Sequence, residues 1–397
     1  MRIALIADTF PPLRTSGALQ LRDLSREFVR QGHKLTVMLP SSYLNLPWLI
    51  EDFDGAQLIR LRAPKTKDIG YVRRTINEFL MPFAMLRNLR KSPLANERWD
   101  GVVWYAPSIF FGPIVSALKF ASCCKSYLII RDIFPEWAAD MSLMSRGLPY
   151  WFFKAVANYQ YSLADVIGIQ SQGNQIYFRD RKDCQIEVLQ NWLTEAPNIG
   201  CSLTVANTAL AGRTIFIYAG NMGLAQGMTV LIDLAERLLN RTDIGFLFVG
   251  RGSDAKSLRE AAEARSLDNV AFFDEIDPTE VPGLYAQCHI GIVALDPRHK
   301  THNIPGKFLS YMQAGLPVLA SINPGNDLEK IILSERVGQV ASDYSVDTLK
   351  RLAINMVNEV SGDAKNHQAL SARCKGLSSK LFSSEVAVKQ IISSLSS

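Results

Sequence analysis

Short apolar runs recur along this chain, each closed by a turn of glycine, proline, serine or asparagine and most followed by an amphipathic segment of helical length. Residues 2–8, 34–39, 101–105, 127–131, 165–170 and 186–190 are such runs in the first half, and 214–219, 244–249, 270–273, 289–295 and 317–320 in the second. A continuous apolar strand is one buried on both faces, and strands alternating with helices build a sheet covered by helices on either side. The pattern predicts an α/β chain, and its restart after a polar stretch predicts two doubly wound domains. The small and polar residues from 196 to 212, among them Asn198, Gly200, Asn207 and Thr208, are the expected linker. The domains are then expected at 1–195 and 213–376, with a helix at 377–397 packing back across the boundary.

Composition removes several classes. At 397 residues, 48% hydrophobic and 20% charged, the chain suits two ordinary globular cores rather than disorder. No apolar run reaches the roughly 18 residues of a membrane span. Met1 leads straight into a buried strand, with no secretory signal pattern. Six cysteines without metal-ligand spacing are then expected as reduced thiols in the cytoplasm. The net charge of +5 is uneven. Residues 1–190 hold 24 Lys and Arg against 17 Asp and Glu, and the remainder 19 against 21. The basic half is where an anionic surface is expected to dock.

The strongest candidate for chemistry in the second half is residues 301–321, a loop, a short helix and a buried strand. Asn303 can cap the helix, Ile304 precedes Pro305, and proline suits a first turn. Gly306 permits close backbone approach, and Lys307 sets a cation beside the exposed amides. This arrangement suits a phosphate, although the same punctuation also serves as ordinary connection in α/β proteins. Two more turns at strand ends, Gly220-Asn221-Met222-Gly223 running to Gln226-Gly227, and Gly250-Arg251-Gly252, suit backbone contact with a diphosphate. Neither is a dinucleotide fingerprint.

In the first half, Ser16 and Gly17 lie at the first strand-to-helix turn, on the carboxyl edge where α/β sheets bind ligands. Arg131-Asp132, at the end of the fourth run, is the best candidate for chemistry there, with a structural ion pair as the competing account. Residues 60–91 are strongly basic: Arg60, Arg62, Lys65, Lys67, Arg73, Arg74, Arg87, Arg90 and Lys91 against only Asp68 and Glu78. Within them Ile76, Phe79, Leu80, Phe83 and Leu86 fall at helical spacing, with Pro82 expected to kink the helix or start another. Such a segment reads as a membrane-surface element or as a core-facing helix with a solvated basic face. Tyr150-Trp151-Phe152-Phe153 is a second aromatic cluster with the same two readings. Asp52-Phe53-Asp54 looks like a metal-binding triplet but falls in an acidic loop outside any site element, and is read as coincidence.

Taken in order, Phe10-Pro11-Pro12 with Ser16-Gly17, Asp132-Ile133-Phe134-Pro135-Glu136, Gln190-Asn191-Trp192, Gly220-Asn221-Met222-Gly223 with Gln226-Gly227, and Pro305-Gly306-Lys307-Phe308-Leu309 through Pro317-Val318 resemble family 4 of the GT-B glycosyltransferases. The likeness spans nearly the whole chain. Within the family it is nearest to bacterial transferases of O-antigen and colanic-acid assembly, particularly those moving N-acetyl-L-fucosamine. The resemblance implies a GT-B fold with two Rossmann-like domains facing across a cleft. It also implies transfer from a UDP-sugar to a polyprenyl-diphosphate-linked saccharide at the inner face of the cytoplasmic membrane. It implies no metal or other cofactor, no nucleic acid, and retention of anomeric configuration by front-face attack.

Several family positions differ here. The arginine and lysine that hold the donor diphosphate are Asn221 and Gln226, the glutamate pair falls on His302 and Ser310, and the histidine before the catalytic-strand aspartate is Arg131. Diphosphate charge is then expected to fall to Arg251, Lys307, Arg131 and the helix amides after Asn303, and sugar contacts to His302 and Asn303. Asp132 is the expected residue at the reacting centre. The expected membrane contact is Arg73, Arg74, Phe79, Leu80, Phe83, Arg87, Arg90 and Lys91. A GT-B-type nucleotide-sugar 2-epimerase and a non-catalytic nucleotide-sugar-binding protein are the rival readings.

Overall fold

A computed structural model describes residues 1–13, 15–194, 197–298, 304–362 and 364–397. Its contacts divide the chain into two units, Met1–Trp192 with Ser384–Ser397, and Leu193–Ser383. The first unit contains β1 (Arg2–Ile6), α1 (Ser16–Arg30), β2 (Lys34–Ser41), β3 (Trp48–Phe53), β4 (Ala56–Arg62), α2 (Tyr71–Leu89), β5 (Gly101–Tyr105), α3 (Gly112–Ser122), β6 (Lys125–Ile129), α4 (Glu136–Asp140), α5 (Leu148–Ser162), β7 (Val166–Ile169) and β8 (Gln185–Val188). The second contains β9 (Thr214–Ala219), α6 (Thr229–Arg237), β10 (Ile244–Val249), α7 (Ala255–Ala264), β11 (Val270–Phe273), α8 (Val281–Tyr285), β12 (Ile290–Ala294), α9 (Gly306–Ala314), β13 (Val318–Ser321), α10 (Asp327–Glu335), β14 (Gly338–Ala341), α11 (Val346–Ser361) and α12 (Ala364–Leu381); α13 (Ser384–Ser396) returns to the first unit.

The first sheet runs β3-β4-β2-β1-β5-β6-β7-β8, parallel except for β3, and the second runs β11-β10-β9-β12-β13-β14. Period-two alternation sends each strand's residues to two cores. In the first unit Ala4, Ile6, Trp104 and Leu128 enter one core, and Ile3, Leu5, Tyr105 and Ile129 enter the other. The second core is completed by Ala387, Val388, Ile391 and Leu395 of α13. Glu187 fixes that helix by accepting from Gln390 Nε2 (2.9 Å) and Ser394 Oγ (3.0 Å). In the second unit Phe216 and Phe246 face one core, Ile217 and Leu247 the other.

Four sequence expectations are corrected. The basic segment is not one element: Arg60 and Arg62 lie in β4, and the helix begins at Tyr71. It continues through Pro82, so no second helix starts there. Asp52-Phe53-Asp54 is the β3–β4 hairpin, with Asp54 at φ +52°. The Asn303 cap lies outside the described residues, and Pro305, expected in the first turn, is itself the N-cap of α9. The strands β3, β4 and β14 were not expected.

Candidate functional site

In the second unit, the turns after β9 and β10 are joined backbone to backbone. Gly220 N donates to Val249 O (2.9 Å), Met222 N to Arg251 O (2.7 Å) and Asp254 N to Met222 O (2.9 Å). Gly250 and Gly252 adopt φ +147° and +153°, and a Cβ there would lie 2.0 Å from Gly220 O and 2.1 Å from Met222 O. Glycine is required at both positions because another backbone occupies the side-chain space.

Asn221 and Gln226, which stand where the resemblance places a diphosphate-holding arginine and lysine, hold the turn together. Gln226 Oε1 accepts from Gly223 N (3.0 Å) and from Asn221 Nδ2 (3.3 Å). Asn221 O in turn accepts from the Tyr218 hydroxyl (2.6 Å). Ser310 donates back to Gly306 O (3.3 Å), as serines within helices commonly do. The Arg251 guanidinium is exposed and pairs with Glu275 at 2.8 Å. His302 and Asn303 lie outside the described residues. Ile304 is buried in the core beneath α9.

Lys307 reaches the Gly220 turn from α9. Phe308, Leu309, Tyr311 and Met312 bury the inner face of α9, and Gly315 ends the helix at φ +78°. Tyr311 ties the helix to β9, donating to Ile217 O (3.0 Å) and accepting from Ala219 N (3.4 Å). Lys307 thereby brings its Nζ 2.5 Å from the Tyr218 hydroxyl and 3.7 Å from the centre of that ring. A Cβ at Gly220 would lie 3.9 Å from Lys307 Cε. Burial without a charged partner holds the amine down to about 7. Burial also pushes the Tyr218 phenol up, so it stays neutral. Nearby, Arg298 chelates Asp296 through Nε (2.8 Å) and Nη2 (2.9 Å). Tyr218, Asp296 and Arg298 were not singled out from sequence. Tyr218 reads there as one more apolar strand residue.

In the first unit, Thr15 caps α1 by accepting from Ala18 N (3.3 Å) and also contacts the Thr9 hydroxyl (3.0 Å). Gly17 lies against the end of β5: a Cβ there would fall 3.1 Å from the Tyr105 hydroxyl. Ser16 precedes it in the first turn. Tyr105 donates to Gln20 Oε1 (3.4 Å), and burial pushes its phenol up to about 12. Arg131 opposes that shift, while Asp132 and Asp8 add to it. The carboxyl ends of β1, β5 and β6 therefore bring Asp8, Tyr105, Arg131 and Asp132 together. Asp8 was not expected. Burial raises its pKa, with Lys67 and Arg74 opposing. Glu136, after the cis Phe134-Pro135 bond, is buried and bonded to Lys154.

Met81, Met85 and Leu89 of α2 face the core. Most of the stripe picked out by periodicity points outward instead: Ile76, Phe79, Leu80 and Phe83 are 54%, 47%, 47% and 49% exposed, while Leu86 packs against the core. Arg73, Arg74, Arg87, Arg90 and Lys91 are exposed as well. Tyr150 and Phe153 of the second aromatic cluster pack inward, while Trp151 and Phe152 are exposed. Among the described residues, no helix is long and apolar enough to cross a membrane, and no group of three or more His, Cys, Asp or Glu could hold a metal ion.

Residues 213–358 match the family model of glycosyl transferases group 1. The chain is 24% identical over 234 residues to the Pseudomonas aeruginosa protein named "Probable glycosyltransferase WbjE", covering 56% of this chain and 57% of that one. It is 22% identical over 226 residues to WcaI of Escherichia coli K12, named for colanic acid biosynthesis glycosyl transfer, covering 50% of this chain and 52% of that one. The chain thus spans just over half the length of these relatives. Anabaena Alr3699/HepE in complex with UDP superposes with a TM-score of 0.66 at 15% identity, covering all of both chains. At that identity the likeness concerns the fold, which is GT-B.

Proposed function

We propose that this protein is a UDP-sugar-dependent glycosyltransferase of surface-polysaccharide assembly, the second unit holding the nucleotide sugar. The observation that carries the reading is Lys307. A helix N-terminus bearing a buried amine without a carboxylate partner, beside a glycine turn, is suited to a diphosphate. The family match over residues 213–358 supports it, as does the UDP complex of a protein with the same fold.

A leaving nucleoside diphosphate needs its growing charge met by fixed donors, and Lys307 with the first amides of α9 supplies them. In the first unit, Asp132 and Arg131 position the acceptor hydroxyl. The finer reading is an N-acetylated 6-deoxy sugar such as N-acetyl-L-fucosamine as donor and a polyprenyl-diphosphate-linked saccharide as acceptor. The name of WcaI supports a polysaccharide product. The exposed apolar and basic stripe of α2 supports peripheral attachment to an anionic inner leaflet, where each basic residue contributes about 1 kcal/mol before screening.

A thermal-shift screen of nucleotides and UDP-sugars tests the donor reading, since a ligand that binds only the folded state raises its stability. Stabilisation by UDP and UDP-sugars, lost in Lys307→Met, is expected; no shift with any uracil nucleotide would remove the reading. For attachment, co-sedimentation with anionic vesicles is expected to fall at high salt and on changing Arg73, Arg74, Arg87, Arg90 and Lys91 to Ser. Equal sedimentation with neutral vesicles would exclude α2 as an electrostatic anchor.

A further inference from the structure

We propose that the nucleotide diphosphate binds together with a proton, taken from solvent by Lys307, and that Tyr218 is the positioning residue that holds this amine ready. The inference rests on the donor reading above and says how the site is regulated by pH.

The geometry begins with the one proton of the Tyr218 hydroxyl, which is donated to Asn221 O at 2.6 Å. Toward Lys307, at 2.5 Å, the phenol oxygen can therefore only accept. The ring beneath the amine, with its centre 3.7 Å away, favours a cation but does not neutralise one. Among the described residues, the surrounding elements supply no counter-ion. Tyr285 of α8 and Tyr311 of α9, the helix that carries Lys307, are buried phenols kept neutral. Arg251 after β10 is exposed and paired with Glu275, and Asp296 after β12 is bound by Arg298. On α12, Lys375 lies at the far end of α9, beside Gly315.

An amine so placed is half neutral near pH 7, and burial is the cause. A diphosphate brings the missing negative charge, so the bound state favours the ammonium. The balance is one proton from solvent added to the amine nitrogen on binding, and the same proton returned on release. The sign follows. Below pH 7 the amine is already charged and binding takes up little. Above pH 7 affinity falls by up to about tenfold per pH unit, until the pH reaches the amine's pKa in the complex.

Titration calorimetry of UDP into the full chain at pH 8, in HEPES and in Tris, tests this. At that pH the terminal phosphate of UDP is already ionised, so its own titration does not contribute. The two buffers are expected to report uptake of about nine-tenths of a proton, the neutral fraction of an amine titrating near 7. Lys307→Arg, whose guanidinium is always charged, is expected to bind with no linked proton. Tyr218→Phe keeps the ring but removes the acceptor. It is expected to weaken binding and to move the break in the affinity–pH profile below 7, whereas a merely structural loss lowers affinity equally at every pH. UDP binding without proton uptake by the unaltered protein would overturn the inference and leave the donor reading standing. Uptake that persists in Lys307→Arg would place the proton elsewhere and overturn it too. Failure of UDP to bind the unaltered protein would overturn the donor reading and this inference with it.

Discussion

Changing Gly250 to alanine separates two costs that glycine-rich turns usually combine. The first is backbone conformation: at φ +147° an alanine is strained by about 1–3 kcal/mol. The second is space. The new Cβ would stand 2.0 Å from Gly220 O, and real Cβ contacts stay beyond 3.0 Å, so the two turns must part by about 1 Å. Parting strains the bonds Gly220 N to Val249 O and Met222 N to Arg251 O, each with a net value of about 1 kcal/mol. The expected total is about 3–5 kcal/mol. Gly325→Ala is the matched control. That residue also has positive φ (+74°), but nothing lies within 4 Å of its Cβ position, so only the conformational cost of about 1–2 kcal/mol is expected. Urea denaturation of both variants, compared at equal m, gives the difference. If Gly250→Ala costs no more than Gly325→Ala, the close approach of the two turns is not what fixes glycine there, and the reasoning fails.

Three further outcomes are expected. Asp132→Asn should lower kcat at least tenfold, about 1.4 kcal/mol of barrier, without shifting Tm, because the side chain is exposed; unchanged turnover would remove Asp132 from the reacting centre. Asp8→Asn should raise Tm at pH 8 but not near pH 4. A carboxyl whose folded pKa is raised above its unfolded value destabilises the fold once ionised, and that penalty disappears as pH falls through the raised value; an equal gain at both pH values would show another cause. Ending the chain at Ser383 removes Val388, Ile391 and Leu395 from their core, worth roughly 5–9 kcal/mol. The first unit should then unfold at distinctly lower urea while the second keeps its transition, and unchanged unfolding of the first unit would contradict the packing of α13.

Most strands were legible because continuous apolar runs mark strands buried on both faces. The β3–β4 hairpin was not, since Trp48–Phe53 is an edge strand, half exposed and rich in charge. In α2, periodicity located an apolar stripe but not its direction. Met81, Met85 and Leu89 form the buried stripe, while the more conspicuous Phe79 and Phe83 face outward. Pro82 did not break the helix, and nothing local in the sequence distinguishes that outcome from a break. In the second unit, the glycine turns after β9 and β10 and the start of the helix that carries Lys307 were legible from residue chemistry, but the bonding of one turn to the other was not. That Gln226 would bond Gly223 and Asn221, and that Tyr218 would hold the amine, depends on tertiary distances that spacing does not encode.

The central claim is sugar transfer, and mass analysis of the acceptor tests it most directly. The full chain is incubated with vesicles carrying a polyprenyl-diphosphate-linked saccharide and, in turn, each of a panel of UDP-sugars that includes UDP-N-acetyl-L-fucosamine. One donor is expected to add a single sugar to the lipid-linked saccharide with release of one UDP, and Lys307→Met is expected to slow that step. Conversion of the donor to another UDP-sugar with the acceptor unchanged, or binding of UDP without turnover of any donor, would contradict it.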